Sequence, residues 1–334
     1  MSISFMLLKM VQNKYLTNLG LVMFLTTGIF ITIISRNIFI MWVGLEINMF
    51  GVIPLLKISF RDKRPGYKVS FYYFFVQVIG SILFLWGVII SWERLRIIGL
   101  LCKLGLVPFF WWVPPLYSRL RWFNIGILRV IQKIPGLFLI LFLFDLSLKK
   151  VLVIGLRRFI IGIFGVLFSF KKLKNFLAWS SLSKLGVMLI LRIIKRRAAI
   201  LFFCLYSVST LGFCWIVSIC KTSSFFRSFL KKEEVLHIAG LLLLIMSGLP
   251  PLVGFFIKVV FFSCFFAVFS YWELVIFMVI LISCQMIGYV KAFIKLKSYF
   301  KKIREINLKN KGNKNGRVVV SIITFFSFSL FLLI

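Results

Sequence analysis

One glutamate and four lysines lie inside stretches of this chain that are otherwise apolar enough to cross a bilayer: Glu46, Lys103, Lys133, Lys184 and Lys258. A charge at mid-membrane costs roughly 2.5–3.5 kcal/mol on insertion scales, so five of them, taken additively, cost about 12–17 kcal/mol. That is comparable to the stability of a whole domain. A fold that tolerates them must turn these groups toward protein or water, and such placement points by default to an ion or proton path.

The rest of the chain supports this reading. Of its 334 residues, 61% are hydrophobic, against roughly 45–50% in soluble domains. Runs such as 16–34, 72–92 and 318–334 carry almost no charge, and each is long enough for a helix to span hydrocarbon. A β-barrel would show alternating polarity instead of continuous apolar runs. The expected fold class is therefore all-α: a polytopic membrane protein of about eleven transmembrane helices, at 16–34, 38–56, 72–92, 97–116, 124–144, 151–169, 176–193, 198–220, 236–261, 271–290 and 318–334.

The net charge is +34, from 42 Lys and Arg against 8 Asp and Glu. In a soluble chain this would suggest nucleic acid. Here the basic residues cluster in short linkers between apolar spans, without the interleaved aromatics of an RNA-recognition motif, so membrane orientation and anionic lipid explain them better. The N-terminal tail and alternate linkers after it hold 26 basic residues, and the opposite set holds 11. The positive-inside rule then puts the N-terminus and the basic loop 291–317 on the inner side, and the C-terminus outside. Arg157 and Arg158 fall near the outer end of the sixth span, from where they are expected to snorkel. The N-terminus lacks the character of an import presequence.

Redox and nucleophilic chemistry find little support. The six cysteines, Cys102, Cys204, Cys214, Cys220, Cys264 and Cys284, lie in apolar surroundings without a C-x-x-C pair and read as small core residues. His237 is the single histidine, which excludes a bis-histidine haem or a histidine-cluster metal site within this chain. The aromatic residues are spread through the spans as lipid-facing and core filling.

Two spans carry Gly/Pro interruptions: Lys103 to Pro115 in the fourth, and Ser247 to Lys258 in the ninth. They are five spans apart. An odd offset inverts a repeat, so 16–144 and 151–290 form a candidate pair of inverted five-helix repeats within a single membrane domain, each with a broken helix. The loop 291–317 and a C-terminal helix 318–334 follow.

The ionisable residues sit at or near these breaks. Lys103 precedes Pro108. Lys258 lies two turns after Pro251, which cannot bond the carbonyl of Ser247; a freed carbonyl attracts water or a cation. Lys133 stands two residues before Pro135, with Arg129 one helical turn away. Burial and a neighbouring like charge both disfavour its ammonium form, as release of a proton near neutral pH requires. Glu46 is the only acid deep in a span, and a buried carboxylate must be paired or protonated; Lys103 is the favoured partner. Lys184 follows Ser180, Ser181 and Ser183, whose hydroxyls serve either a water chain or close helix packing.

Six blocks now carry a family resemblance. They are Trp42 to Pro54 (WVGLEINMFGVIP), Tyr73 to Gln77 (YFFVQ), Lys103 to Pro114 (KLGLVPFFWWVP), Gln132 to Pro135, Leu177 to Met188 (LAWSSLSKLGVM) and Gly248 to Lys258 (GLPPLVGFFIK). Together they resemble the subunit 2 family of mitochondrial NADH–ubiquinone oxidoreductase, respiratory complex I. The resemblance implies an antiporter-like membrane-arm subunit with two inverted five-helix repeats, in the form that lacks three N-terminal helices. It implies that Glu46, Lys103, Lys133 and Lys258 move protons along a midplane chain of lysines and water, coupled to quinone reduction elsewhere. It places flavin, iron–sulfur clusters and the quinone site in other subunits, so no cofactor is expected here. It also implies the mitochondrial inner membrane, with the N-terminus on the matrix side and the C-terminus facing the intermembrane space. The expected partners are neighbouring antiporter-like and small membrane subunits, accessory subunits and anionic lipid such as cardiolipin, with no nucleic acid. The chain departs from the family where Phe110 replaces a usual histidine, Pro115 a usual glutamate, and Lys184 a common histidine or asparagine. Two competing readings are a stand-alone cation/proton antiporter of the same fold, and a structural spacer that no longer pumps.

Overall fold

The computed structural model describes residues 20–58, 63–106, 108–142, 148–169, 172–222, 232–250, 252–268 and 272–308. All regular structure among them is helical. It divides into two compact units, Met1–Asp145 and Leu146–Ile334.

The first unit holds α1 (Gly20–Ile34), α2 (Ile38–Ile58), α3 (Lys63–Ile89), α4 (Glu93–Leu104), α5 (Val113–Arg119), α6 (Trp122–Arg129) and α7 (Lys133–Phe142). Helix α3 packs along both α2 and α4, and α4 also meets α7. Tyr73, Phe84, Leu100, Leu116 and Leu139 are fully buried between them. The second unit holds α8 (Leu148–Ser169), α9 (Leu173–Ile194), α10 (Arg196–Thr222), α11 (Lys232–Ser247), α12 (Val253–Val268) and α13 (Trp272–Leu308). Its most extensive contact joins α8 to α9. Lipid tails give helices no hydrophobic reason to associate, so close approach of backbones must do it. A Cβ on Gly162 of α8 would stand 2.5 Å from the Ser183 nitrogen of α9, so this seam depends on the missing side chain.

Large apolar side chains point outward from both units: Phe71 and Trp86 in the first, Phe168, Val208 and Trp272 in the second, all more than half exposed. Hydrocarbon is the solvent such a surface suits. Among the described residues, five helical stretches are long and apolar enough to cross a membrane by length and composition: Ile38–Lys57, Tyr67–Ile89, Trp122–Leu141, Arg196–Ser218 and Val275–Ser298. Helix breaks and the bounds of the described residues account for part of the difference from eleven. Breaks cut α4, α11 and α12 to 12, 16 and 16 residues.

Helix α4 ends at Gly105, with φ +64°, and α11 ends at Gly248, with φ +68°. Glycine adopts this left-handed conformation without a Cβ penalty. The expected breaks in the fourth and ninth spans therefore both occur. Pro251 lies outside the described residues.

Three expectations need correction. The fifth span is not one helix, because α6 stops at Arg129 and α7 starts at Lys133. Pro135 has no N–H to offer the Ile131 carbonyl, which accepts from Ile134 at 3.3 Å instead, while Gln132 reaches back five residues to Ile127 at 3.2 Å. The helical-turn relation between Arg129 and Lys133 is lost with the helix. The expected loop from residue 291 is helical as far as Leu308; residues 291–308 contain no Gly or Pro, and their Lys, Leu, Ala and Ile are sound helix formers. Arg158 does not snorkel: it is wholly buried against α9, whereas Arg157 is exposed. The remainder of the 291–317 segment and the span 318–334 lie outside the described residues.

Gly162→Val is expected to destabilise the second unit by roughly 1–3 kcal/mol, the usual cost of overpacking. Gly20→Ala, at a position with nothing within 4 Å, should be near neutral. Thermal midpoints of the purified, assembled protein test this, and equal midpoints for the two variants would show that the α8–α9 seam tolerates a side chain.

Candidate functional site

In the first unit the two expected partners meet. Lys103 Nζ lies 2.6 Å from Glu46 Oε1, with the side chains only 6% and 15% exposed. Glu46 sits mid-way along α2, and Lys103 is in the last turn of α4. The backbone break matters here. The last carbonyls of a helix lack intrahelical partners and carry partial negative charge. The Lys103 carbonyl accepts a hydrogen bond from Gln77 Nε2 of α3 at 3.0 Å. The αL turn also lets the Leu106 N–H return to the Leu101 carbonyl at 2.7 Å. Gly80 of α3 leaves room for the lysine stem, since a Cβ there would stand 2.8 Å from Lys103 Cγ. Helices α2, α3 and α4 thus supply the acid, the cap and the base in turn.

Lys133, at the start of α7, is 6% exposed. It shares a cavity of about 10 Å³ with Lys103; Gln132, Tyr117, Trp112 and Leu128 also line it. That is about the volume one water-sized sphere requires. Gln132 Nε2 donates to the hydroxyl of Tyr73, a fully buried residue of α3. Tyr73 in turn meets the Trp112 ring edge-on at 6.2 Å. Arg129 is fully buried nearby in sequence, at the end of α6.

In the second unit Lys184 of α9 is 8% exposed. Its Nζ lies 5.8 Å from the centre of the Phe202 ring (α10) and 5.9 Å from that of Tyr289 (α13), a cation–π arrangement that offsets part of the cost of burying the charge. The residue before it, Ser183, accepts from Gln285 Nε2 of α13 at 2.9 Å. Arg158 Nε of α8 donates to the Leu182 carbonyl at 2.9 Å. The serine hydroxyls of 180, 181 and 183 each donate to the carbonyl three residues back, which accounts for their tight fit in the helix seam. Lys258 of α12 donates to the Ser247 carbonyl at the end of α11. The carbonyl expected to draw water or a cation thus takes the chain's own lysine.

The structure gathers Glu46, Lys103 and Lys133 in one unit and holds Lys184 and Lys258 in the other. Phe110 lies in the turn between α4 and α5, and Pro115 is exposed on α5. The sequence alone assigned no individual role to Gln77, Tyr73, Gln132 or Gln285, and pointed Arg158 toward the membrane surface rather than into the helix seam. An amide inside an apolar span was the available signal for Gln77 and Gln285, since such groups seek a partner across a helix interface.

With this geometry in place, the relatives can be compared. The family described as NADH:quinone oxidoreductase/Mrp antiporter, TM, matches residues 92–283, more than half of the chain. The chain belongs to this family of antiporter-like membrane subunits. Within it, the chain is similar to NADH-ubiquinone oxidoreductase chain 2. It is 30% identical over 252 residues to that of Ailuropoda melanoleuca, covering 69% of this chain and 72% of the relative. It is 30% identical over 260 residues to that of Dugong dugon, covering 71% and 74%. Among solved structures, its fold is like that of a chain in respiratory complex I from Thermus thermophilus with bound aureothin (TM-score 0.72, 18% identity, 84% of this chain and 70% of that one). It is also like a chain in the Mrp complex from Dietzia sp. DQ12-45-1b (TM-score 0.65, 15% identity, 83% and 58%).

Glu46→Gln should leave Lys103 buried without its counter-charge, a loss of roughly 3–5 kcal/mol for a broken buried pair. Removing both, as Glu46→Gln with Lys103→Met, should recover much of it. Thermal denaturation of the assembled protein with the two single variants and the double variant measures the coupling, and additive losses would show that the pair contributes nothing as a pair.

Proposed function

We propose that this chain is a proton-translocating membrane-arm subunit of NADH:quinone oxidoreductase, seated in the mitochondrial inner membrane with its N-terminus on the matrix side. One observation carries the reading: Lys103, paired with Glu46, lines a cavity of about one water's volume together with a second buried lysine, Lys133. A carboxylate near an amine stabilises its ammonium form, and withdrawal of that carboxylate does the reverse. In the proposed sequence, a change at the quinone site of another subunit loosens Glu46 from Lys103. The altered field makes the ammonium of Lys133 costly. Lys133 releases its proton, which passes along water to Lys258 and leaves outward. The pair and Lys133 act by position and charge alone, and no bond to carbon is made or broken.

The two units are taken as inverted five-helix repeats of an eleven-span protein. Their paired breaks at Gly105 and Gly248 support this, as such breaks mark the midplane site of repeat-built transporters. The redox centres, flavin and iron–sulfur clusters, and the quinone site are assigned to other subunits. Partners are the adjoining membrane-arm subunits, accessory subunits and anionic lipid. The apolar Phe110 and Pro115 favour one competing reading, a membrane-arm spacer that joins its neighbours without pumping.

Lys133→Met and Lys258→Met, in an assembled complex, are expected to lower proton pumping or coupled turnover by roughly a hundredfold, the low end of what loss of a proton-transferring group costs. Lys133→Arg should fail as well, because a guanidinium keeps its proton. Vesicle acidification measured against NADH oxidation decides the matter: an unchanged ratio of protons to electrons in all three variants would favour the spacer.

A further inference from the structure

On the outer face of the first unit, α2 and α3 enclose an open groove of about 460 Å³, lined by Ile53 of α2 and by Tyr67, Lys68, Ser70, Phe71 and Phe74 of α3. One end is charged. Lys57, in the last turn of α2, holds its ammonium 4.5 Å over the Tyr67 ring, and Lys68 is exposed beside it. The other end is apolar. Phe71 is 68% exposed, and Phe74 lies seven residues from Tyr67, about 10 Å along the helix. In the sequence, Lys57 and Lys68 belong to the set of linkers with the greater basic charge.

The geometry points to a site for an anionic phospholipid, its phosphate between Lys57 and Lys68 and an acyl chain along Ile53, Phe71 and Phe74. Charge complementarity selects this occupant. The groove demands a molecule that is negative at one end and hydrocarbon at the other, within about 10 Å. A zwitterionic lipid brings a second positive group to two ammonium ions. An apolar helix of a neighbouring subunit leaves both lysines unanswered. Basic residues at the end of a membrane helix attract anionic headgroups by roughly 1 kcal/mol each, and Tyr67 keeps Lys57 over its ring instead of extended into water.

The test uses the assembled complex in phosphatidylcholine nanodiscs containing a minor share of photoactivatable phosphatidylglycerol or, separately, photoactivatable phosphatidylcholine. The adducts are mapped on residues 67–74. The site predicts labelling of Phe71 and Phe74 by the glycerol lipid in large excess over the choline lipid. It also predicts a drop of roughly 10- to 30-fold in Lys57→Gln/Lys68→Gln, and retention in Lys57→Arg/Lys68→Arg, which guards against a misfolded variant. Equal labelling by the two lipids, or undiminished labelling in the glutamine variant, would overturn it. So would exclusion of both lipids together with a crosslink from Phe71 to another subunit.

Discussion

Charge in hydrocarbon is the constraint on which the rest of this molecule depends. Glu46, Lys103, Lys133 and Lys184 all stand where water does not reach freely, and each is answered by protein. The carboxylate and the ammonium of Glu46 and Lys103 answer one another at 2.6 Å. Lys184 rests between two aromatic rings, and Lys258 caps the carbonyl of Ser247. These are different solutions to one energetic problem, and they differ in how firmly they hold the charge. An ion pair fixes it strongly. A cation–π contact, of roughly 0.5–2 kcal/mol, holds it less. Under the proposed function, that gradation suits a chain of groups that gain and lose protons.

The broken helices belong to the same economy. A helix end leaves carbonyls without partners, and inside a membrane each one needs an answer. At α4 the answer is Gln77, at α11 it is Lys258. The left-handed glycines at positions 105 and 248 make these ends possible, and they bring polar backbone close to Lys103 in one unit and to Lys258 in the other. Backbone irregularity and side-chain charge therefore support each other: the break supplies acceptors, and the charged or amide side chains satisfy them.

Much of this was legible in the sequence because it follows from polarity alone. The apolar runs located the helices. Pro108 and the Gly248-Leu-Pro-Pro251 run located the breaks. Glu46, alone among acids at depth, left a lysine as its natural partner. What escaped depends on finer matters. The interruption at Val130 to Gln132, between α6 and α7, arises from a single missing N–H at Pro135, an effect that the hydropathy of the stretch does not reveal. Arg158 and Arg157 are adjacent and chemically identical, and only the helical phase of α8 against α9 turns one inward. The helical run from Lys291 to Leu308 carries so many lysines that charge outweighed helix propensity in the reading. Tyr73 and Gln132 are 59 residues apart, so their meeting is a product of packing, which no local pattern encodes.

The central claim is that Lys103 and Lys133 communicate through the small space they share. Imaging that cavity in the assembled complex, at a resolution that shows ordered water, tests it most directly. The account predicts one water within hydrogen-bonding distance of both Lys103 Nζ and Lys133 Nζ, held by Gln132 or Tyr117. A dry cavity closed by apolar side chains, with the two ammonium groups turned away from each other, would contradict it.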